Sequence, residues 1–451
     1  MMDLLNKDLL NKDFLKKYWL MIVVLVLFCA ITIPIMLNHY PWYDEAHAWC
    51  LSDTMNFTNF TEILKCEGHF ILWYLVLMPF AKFNFAYPYS MLCINWLFYF
   101  LAMIIMWKKA PFNNITKIII TFSWISICYF PIVARCYSLG ILLLFITCSL
   151  YNKQLKKPIL YSLAMVLTAH TTLMNAFAIV PLSIIYFYNL IKNRFQLKKQ
   201  HIISVFILLI GAILWIAPFI KGYGPPGLLA SQIVHPQNLL KLFSLNHYLL
   251  GFLFVITWGI LFTFTNNKIK FWLLLVTAEF IFFHSFIYNV NPHLGIYLFV
   301  YLIVATWLTP KFYEINKKTI VFLVFFASIL FMNQGYCFKY ILETFDQREI
   351  ANYLNKLPGK KFLYIYWGNY SDVLPYLKRD KYIAFGIHDN VPMSYESIKR
   401  YIELHNDMNN FEAITITNKK LSPDSIQFSD PKKRNKNFYY VTIFNINKGK
   451  N

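Results

Sequence analysis

The stretch YPWYDEAHAWC, residues 40–50, places two adjacent carboxylates and an imidazole within one short segment. Asp44 and Glu45 can serve as a general base, as a proton donor or as metal ligands, and His47 can move protons or bind the same metal. The segment directly follows WLMIVVLVLFCAITIPIML, an apolar run long enough to span a membrane. These residues therefore predict reactive groups at a membrane surface.

A second group of candidate residues follows in the same loop. In EGHFILWY, Glu67 and His69 precede a short apolar segment, residues 71–83, whose length is typical of a helix lying along the membrane interface. Alone, His69 is best explained by a local hydrogen bond at a helix start. The loop also holds Asp53 and Glu62, whereas the other predicted external loops before residue 335 contain no acidic residue. This concentration favours a site, in which imidazole and carboxylate suit Zn or proton transfer.

Arg135, in VARCYSLG, is the only arginine in the predicted external loops before residue 335. An external arginine runs against the charge bias of membrane proteins, and the simplest explanation is a side chain that reaches from a helix end into water. A guanidinium group also binds phosphate through two parallel hydrogen bonds. We therefore favour phosphate binding by Arg135.

Several further polar residues can be explained either by a functional site or by a structural role. His170, in TAHTTLMN, falls at a predicted external hairpin, and structure and function explain it equally well. His293 and His235 lie at other predicted external helix ends. Glu279 lies within an apolar segment, where an acid is a functional candidate by default, although a hydrogen bond to a neighbouring helix is our preferred explanation.

The composition defines the class of protein. Of the 451 residues, 58% are hydrophobic and 14% are charged, whereas soluble domains carry about 25% charged residues. A polytopic membrane protein is the class that fits. The net charge of +20 does not indicate nucleic-acid binding, because most Lys and Arg residues lie in short loops between apolar runs. The eight cysteines occur singly, without metal-ligand spacing.

The apolar runs predict about eleven transmembrane helices. They lie at approximately 19–38, 89–107, 117–133, 137–151, 158–170, 172–191, 201–219, 246–265, 271–289, 294–309 and 319–334. If the N-terminus is cytoplasmic, the opposite side holds few basic residues before the tail, namely Lys65, Lys82, Arg135, Lys221 and Lys241. The positive-inside rule therefore predicts a cytoplasmic N-terminus and one large external loop, residues 39–88. A full span at 71–83 would reverse this bias, so we interpret that segment as interfacial.

From about residue 335 the sequence becomes polar. Residues 1–334 are thus predicted to form a transmembrane domain, and residues 335–451 a small external α/β domain. The predicted strands are KKFLYIYW, KYIAFGI, FEAITITN and NFYYVTIFNI, and the predicted helices are REIANYLNKL, SDVLPYLKR and YESIKRYIEL. An odd number of spans places this domain on the same side as the first loop.

Three motifs occur in order at predicted helix ends: YDEAHAW, EGHFILWYLVLMPFAKF and VARCYSLGILLLF. Together they resemble the membrane glycosyltransferases of the type-C fold, nearest to the protein O-mannosyltransferases and the bacterial aminoarabinose transferases of lipid A. Asp44-Glu45, His69 and Arg135-Cys136-Tyr137 match the family's motif positions, whereas Phe70-Ile71 stands where the family usually has Pro-Pro. The resemblance covers about residues 19–160, and more faintly the layout of spans and soluble tail.

The resemblance implies a reaction and a set of roles. A polyprenyl-phosphate sugar would lie in the outer leaflet, and Asp44 would remove a proton from an acceptor hydroxyl, which attacks the anomeric carbon with inversion. Glu45 and His69 would complete the catalytic site, and Arg135 with Tyr137 would bind the donor phosphate. The acids and His69 could also hold a divalent metal ion. Further candidates for binding a metal ion or the substrate are His47, Glu67, His170 and His293.

Two other functions stay open from the sequence. A transporter or flippase of lipid-linked sugars would need paired charges near the middle of the membrane and related half-repeats. Only Glu279 lies near such a position, and the sequence shows no repeat. A non-catalytic assembly subunit would explain the replaced Pro-Pro. For the compartment, a bacterial inner membrane is favoured over the endoplasmic reticulum, and the acceptor would be a lipid, a glycan or a protein.

Overall fold

The computed structural model describes most of the chain between residues 12 and 444. The described ranges are 12–41, 43–56, 70–83, 85–194, 197–220, 258–259, 262–263, 265–286, 296–309, 348–358, 362–367, 373–378, 382–387, 412–417, 421–429 and 438–444. The chain divides into two compact units. The first comprises Met1–Asn38, Met55–Val76 and Leu92–Lys339, and the second comprises His39–Thr54, Leu77–Met91 and Tyr340–Asn451. The second unit therefore combines parts of the predicted first loop with the C-terminal tail; the predicted boundary at residue 335 lies outside the described residues.

The helices are numbered here in chain order. They are α1 (Lys12–Leu37), α2 (Tyr43–Thr54), α3 (Leu72–Lys82), α4 (Tyr89–Lys109), α5 (Asn114–Thr121), α6 (Cys136–Leu150), α7 (Pro158–Ala169), α8 (Leu173–Lys192), α9 (Lys199–Ile220), α10 (Asn267–Phe286), α11 (Ile296–Leu308) and α12 (Arg348–Lys356). The strands are β1 (Phe362–Trp367), β2 (Tyr382–Ile387), β3 (Glu412–Thr417), β4 (Ile426–Ser429) and β5 (Phe438–Phe444).

Five helical segments in the described part of the chain are long and apolar enough to cross a membrane. They are Tyr18–Leu37, Tyr89–Lys109, Cys136–Lys153, Leu173–Lys192 and Lys199–Ala217, and each matches a predicted span. Large apolar side chains are exposed along α1 and α9, for example Val26, Ile213 and Leu214. Such surfaces are unfavourable in water and favourable in lipid. The chain is therefore a membrane protein.

The remaining predicted spans have different outcomes. The runs at 158–170, 271–289 and 294–309 correspond to α7, α10 and α11, of which α7 and α11 are shorter apolar helices. The runs at 246–265 and 319–334 lie largely or wholly outside the described residues. Eleven spans thus stay a prediction.

The run at 117–133 is not one continuous helix, contrary to prediction. Helix α5 ends at Thr121, and a separate π-helical turn follows at Ile125–Tyr129. The hydroxyl of Ser123 lies at the break, where it donates to the carbonyl of Ile120 and accepts from the backbone N–H of Ser126. A serine that bonds the neighbouring backbone in this way competes with the regular helical pattern.

Helix α8 is tied to three neighbours in the first unit by buried side-chain hydrogen bonds. Trp272 of α10 donates to the carbonyl of Ala178 at 2.8 Å, and Tyr301 of α11 donates to the carbonyl of Met174 at 2.6 Å. The hydroxyls of Tyr186 and Ser204 join α8 to α9 at 2.6 Å. Because lipid is as apolar as the helix surfaces, such polar bonds and close packing drive helix association in membranes.

The C-terminal part of the second unit is a five-stranded mixed sheet. The strand order is β2-β1-β3-β5-β4, with β1 parallel to both β2 and β3, and β5 antiparallel to both β3 and β4. All four predicted strands are confirmed as β1, β2, β3 and β5, and REIANYLNKL is confirmed as α12. The short strand β4 was not predicted. Residues 373–376 of SDVLPYLKR form only a 3₁₀ turn, and YESIKRYIEL lies outside the described residues.

Polar contacts fix helix α12 to strand β2 and to the segment that contains the 3₁₀ turn. The hydroxyl of Tyr382 on β2 donates to the carbonyl of Leu354, and burial raises the pKa of Tyr382, which keeps the hydroxyl protonated as a donor. The side-chain amide of Asn355 donates to the carbonyl of Tyr376 at 2.9 Å and accepts from the backbone N–H of Lys378 at 3.0 Å. The second unit thus has a small α/β domain as its C-terminal part.

Candidate active site

Helix α2 carries the adjacent acids at its start. Asp44 and Glu45 occupy its first turn. Carboxylates are favoured there because the N-terminal end of a helix carries a partial positive charge. This preference alone would explain why the acids stand at this position, so their burial and partners decide what each can do.

Burial separates the two acids. Asp44 and His47 are three residues apart, which places them on one face of α2, and both are half-buried. Glu45 lies about a quarter of a turn away and is 0% exposed. The accessible face of the helix start therefore presents one carboxylate and one imidazole, and the second carboxylate points into the protein.

Glu45 has a defined buried partner. The ring nitrogen Nε2 of His39 lies 2.8 Å from Oε2 of Glu45, and both side chains are almost fully buried. Because a carboxylate only accepts, Nε2 carries the hydrogen and donates. No sequence pattern pointed to His39: it stands six residues before Glu45, a separation that matches neither a helical turn nor a known motif.

Aromatic contacts fix α2 within the second unit. The rings of Trp49 and Tyr87 have centroids 5.3 Å apart, and Tyr87 in turn packs edge-to-face on Tyr376 at 4.9 Å. The guanidinium of Arg348 lies 4.8 Å from the ring centroid of Tyr40, a cation–π geometry. Two sets of contacts thus hold the segment that contains α2 against the α/β domain.

Arg135 immediately precedes α6 in the first unit. Its backbone is extended, α6 has no side-chain cap, and the residue is only 6% exposed. A helix N-terminus carries partial positive charge and backbone N–H groups. An arginine at this position adds a full positive charge to the start of α6.

The segment before Arg135 is anchored through one carbonyl. Asn95 of α4 donates from Nδ2 to the carbonyl oxygen of Phe130 at 2.9 Å, and the hydroxyl of Ser138 on α6 donates to the same oxygen. All of these groups are buried. The backbone that leads to Arg135 is therefore fixed to two helices.

Tyr137 lies in an aromatic cluster. Its ring centroid is 5.9 Å from that of Tyr129, which is stacked, and 6.1 Å from that of Tyr297, which is edge-on. The hydroxyl of Thr172 donates to the Tyr297 hydroxyl at 3.4 Å. No sequence motif identified Tyr297 or Thr172, although Tyr297 contacts the predicted site residue Tyr137.

His170 directly follows α7 and has a structural partner. Its Nε2 lies 3.0 Å from the carbonyl oxygen of Gly211 on α9, to which it donates. Its ring packs edge-to-face on Phe70, which also lies 5.2 Å, centroid to centroid, from Trp215. These contacts favour the structural explanation of His170, and they place Phe70, the residue after His69, beside α7 and α9.

The predicted residues are thus distributed over both units. The second unit contains Asp44, Glu45 and His47 on α2, and the first contains Arg135, Tyr137 and His170. Glu67, His69 and His293 lie outside the described residues. Within the described part of the chain, no three His, Cys, Asp or Glu side chains form a group that could hold a metal ion.

No protein-family model matches the chain, and no curated protein is significantly similar to it in sequence. The resemblance to type-C glycosyltransferases therefore rests on the three short motifs.

Proposed function

We propose that the chain is an inverting glycosyltransferase that moves a sugar from a polyprenyl-phosphate donor to a hydroxyl group of a lipid, glycan or protein at the external membrane face. The observation that carries the proposal is the different burial of the two adjacent carboxylates at the start of α2. Glu45 is buried against His39, whereas the adjacent Asp44 is half-exposed. An accessible carboxylate next to a fixed one suits a general base.

Asp44 acts on the acceptor in this proposal. Its carboxylate accepts the proton of the acceptor hydroxyl while that oxygen forms a bond to the anomeric carbon. The bond between the anomeric carbon and the phosphate oxygen breaks on the opposite face, and the lipid phosphate leaves with the electron pair. His47, on the same face of α2, would orient the acceptor or take up the proton afterwards.

Arg135 acts on the donor. Negative charge grows on the phosphate as the glycosidic bond breaks, and fixed positive groups aimed at that charge lower the barrier. The guanidinium group of Arg135 and the N-terminal end of α6 together supply such positive charge, and neither has to move during the reaction. Tyr137, packed between Tyr129 and Tyr297, is the second residue that we propose to bind the donor phosphate.

The finer topology belongs to the same proposal. The apolar runs predict about eleven spans, and the distribution of basic residues predicts a cytoplasmic N-terminus and an external C-terminal domain. The bacterial inner membrane is the compartment that we favour.

No step of the reaction is assigned to a metal ion. Glu45 has His39 as a hydrogen-bonding partner, and the other predicted ligands, Glu67, His69 and His293, lie outside the described residues. If a divalent ion binds with those residues, it would add positive charge near the leaving phosphate.

One observation favours transport of lipid-linked sugars as a second candidate. Oε2 of Glu279 on α10 is buried and has no hydrogen-bond partner among the described residues. An acid within a membrane helix often marks a substrate or ion pathway. Facilitated movement of a lipid-linked sugar across liposomes containing the purified protein, without hydrolysis or transfer, would identify this function.

The direct test of the proposal is transfer from a synthetic donor. Purified protein in detergent or liposomes is incubated with a panel of polyprenyl-phosphate sugars and hydroxyl acceptors, and the release of polyprenyl phosphate is measured. We expect release that depends on the acceptor and is lost in Asp44→Asn.

Asp53→Asn, which changes another half-buried acid on the same helix, is the matched control and should stay active. Full activity of a folded Asp44→Asn variant would reject the catalytic role, and mass spectrometry of envelope glycans with and without the protein would identify the product.

A further inference from the structure

His39 stands at the junction between the first apolar helix and α2. Helix α1 ends at Leu37, and α2 begins at Tyr43. Between them, His39 is 4% exposed, Pro41 is also buried, and Tyr40 packs against Arg348. A histidine is a polar residue that needs a strong reason to be buried at such a junction.

The reason is its hydrogen bond to Glu45. The separation of Nε2 and Oε2 is 2.8 Å, and the side chains are 2% and 0% exposed. In a site shielded from water, a hydrogen bond to a carboxylate is stronger than at the surface, and its loss is correspondingly costly. The hydrogen bond therefore holds the side chains of His39 and Glu45 in a fixed orientation relative to each other.

This bond also determines the direction of Asp44. Consecutive residues of a helix are separated by about 100° around its axis, so fixing the side chain of Glu45 fixes the rotation of the first turn of α2. Asp44 is then directed to the half-exposed face that it shares with His47. Helix ends fray unless they are held by caps or tertiary contacts.

We infer that His39 is a positioning residue for Asp44 and acts through its hydrogen bond to Glu45. The catalytic consequence of this inference rests on the proposed function, whereas the structural consequence does not. Arg348 restrains the same segment by its contact with Tyr40. The two restraints act on successive residues, one toward α2 and one toward α12.

The test compares two substitutions at position 39 in the full-length protein. His39→Leu removes the donor and keeps an apolar side chain, whereas His39→Gln retains an N–H donor that reaches nearly the position of Nε2. His201→Leu is the matched control, because His201 is another buried histidine with hydrogen bonds, in that case to Leu155 and Lys198 in the first unit. Thermal unfolding of all variants reports general loss of stability.

Two readouts separate positioning from stability. The first is the division of the effect between kcat and KM. Because a misplaced catalytic group slows the reaction by as much as about 100-fold, we expect His39→Leu to lower kcat on the order of 10- to 100-fold with little change in the donor KM. His39→Gln should recover most of the loss, and His201→Leu should keep the wild-type kcat. Wild-type kcat in folded His39→Leu, or no recovery in His39→Gln, would overturn the inference.

The second readout does not depend on the reaction. A cysteine is introduced as Asp44→Cys, and its rate of modification by a water-soluble maleimide is followed by peptide mass spectrometry in the three position-39 backgrounds. We expect the rate in the His39→Leu background to differ several-fold from that with His39, and His39→Gln to restore it. If the protein shows no transfer at all, the proposed function fails, and the labelling rates alone decide the inference. Equal rates in all three backgrounds would then refute it.

Discussion

Gly140 of α6 faces Asn175 of α8 so closely that a Cβ atom on the glycine would lie 2.0 Å from Nδ2 of the asparagine and 2.9 Å from Oγ1 of Thr171. The amide Nδ2 of Asn175 donates to that same hydroxyl at 2.8 Å, and the hydroxyl of Thr171 donates to the carbonyl of Thr168. The absent side chain of Gly140 thus lets α6, which begins next to Arg135, pack directly on a buried polar cluster.

Gly140→Ala should therefore destabilise the first unit. The added methyl group must displace the Asn175 amide from Thr171, and both groups are fully buried. Overpacking of this kind typically costs about 1–3 kcal/mol, which thermal unfolding in detergent would show as a lower Tm. Gly259→Ala is the matched control, because a Cβ at that position meets no atom within 4 Å. Equal Tm values for the two variants would contradict the packing argument.

The carbonyl of Phe130 should couple Asn95 to Ser138. Each donates to this oxygen, so Asn95→Leu removes one donor and Ser138→Ala removes the other. Loss of a buried hydrogen bond costs about 1–3 kcal/mol when it leaves a partner unsatisfied. Since one donor can still satisfy the carbonyl after a single change, the double variant should lose more stability than the sum of the single variants. Strict additivity would show that the carbonyl is not shared.

Arg135→Lys should weaken donor binding although it conserves the charge. Lysine lacks the planar fork that binds phosphate through two hydrogen bonds. We expect a higher KM for the polyprenyl-phosphate sugar and a smaller change in affinity for the acceptor. Arg194→Lys, at an exposed position after α8, is the matched control. An unchanged donor KM in Arg135→Lys would argue against phosphate binding at the start of α6.

The sequence predicted the spans and strands whose signal lies in composition or alternation. The apolar runs of α1, α4, α6, α8 and α9 and the alternating strands β1, β2, β3 and β5 all coincide with observed elements. The break after Thr121 was not predicted, because it depends on hydrogen bonds between the Ser123 hydroxyl and the neighbouring backbone. A hydropathy pattern contains no information about such bonds. Strand β4 has only four residues, too few for a periodic pattern.

For the candidate site, the sequence likewise predicted the residue types but not their contacts. The residue types at Asp44 and Glu45 indicated chemistry, but their different burial results from tertiary contacts that the sequence does not encode locally. The bond between His39 and Glu45 joins the end of the α1 connection to the start of α2. Tyr297 reaches Tyr137 and Thr172 from a helix more than a hundred residues later. Such pairs have no characteristic spacing.

The proposed orientation predicts on which side of the membrane two exposed positions lie. Asp424 is exposed in the turn before β4, and Gln200 is exposed at the start of α9. A cysteine at position 424 should react with a membrane-impermeant reagent added to intact cells, whereas a cysteine at position 200 should react only after the cells are opened. The opposite labelling pattern would invert the topology and remove α2 from the external face.

Asp44→Asn and Glu45→Gln should affect different properties of the protein. Asp44 is half-buried in the first turn of α2, where a carboxylate contributes about 0.3–1 kcal/mol, so its replacement should lower Tm only slightly while kcat falls by the ~10²–10⁴-fold that general-base catalysis typically contributes. Glu45 is fully buried against His39, so its neutral replacement weakens a charge-assisted hydrogen bond and should lower stability by about 1–3 kcal/mol. Any loss of kcat in Glu45→Gln should be smaller, because the amide oxygen can still accept from Nε2 of His39 and keep the first turn of α2 in place. Thermal unfolding and transfer kinetics measured on the same preparations separate the two effects. If Glu45→Gln lost activity as severely as Asp44→Asn while keeping the wild-type Tm, Glu45 would be the base and the assignment of the two carboxylates would have to be exchanged.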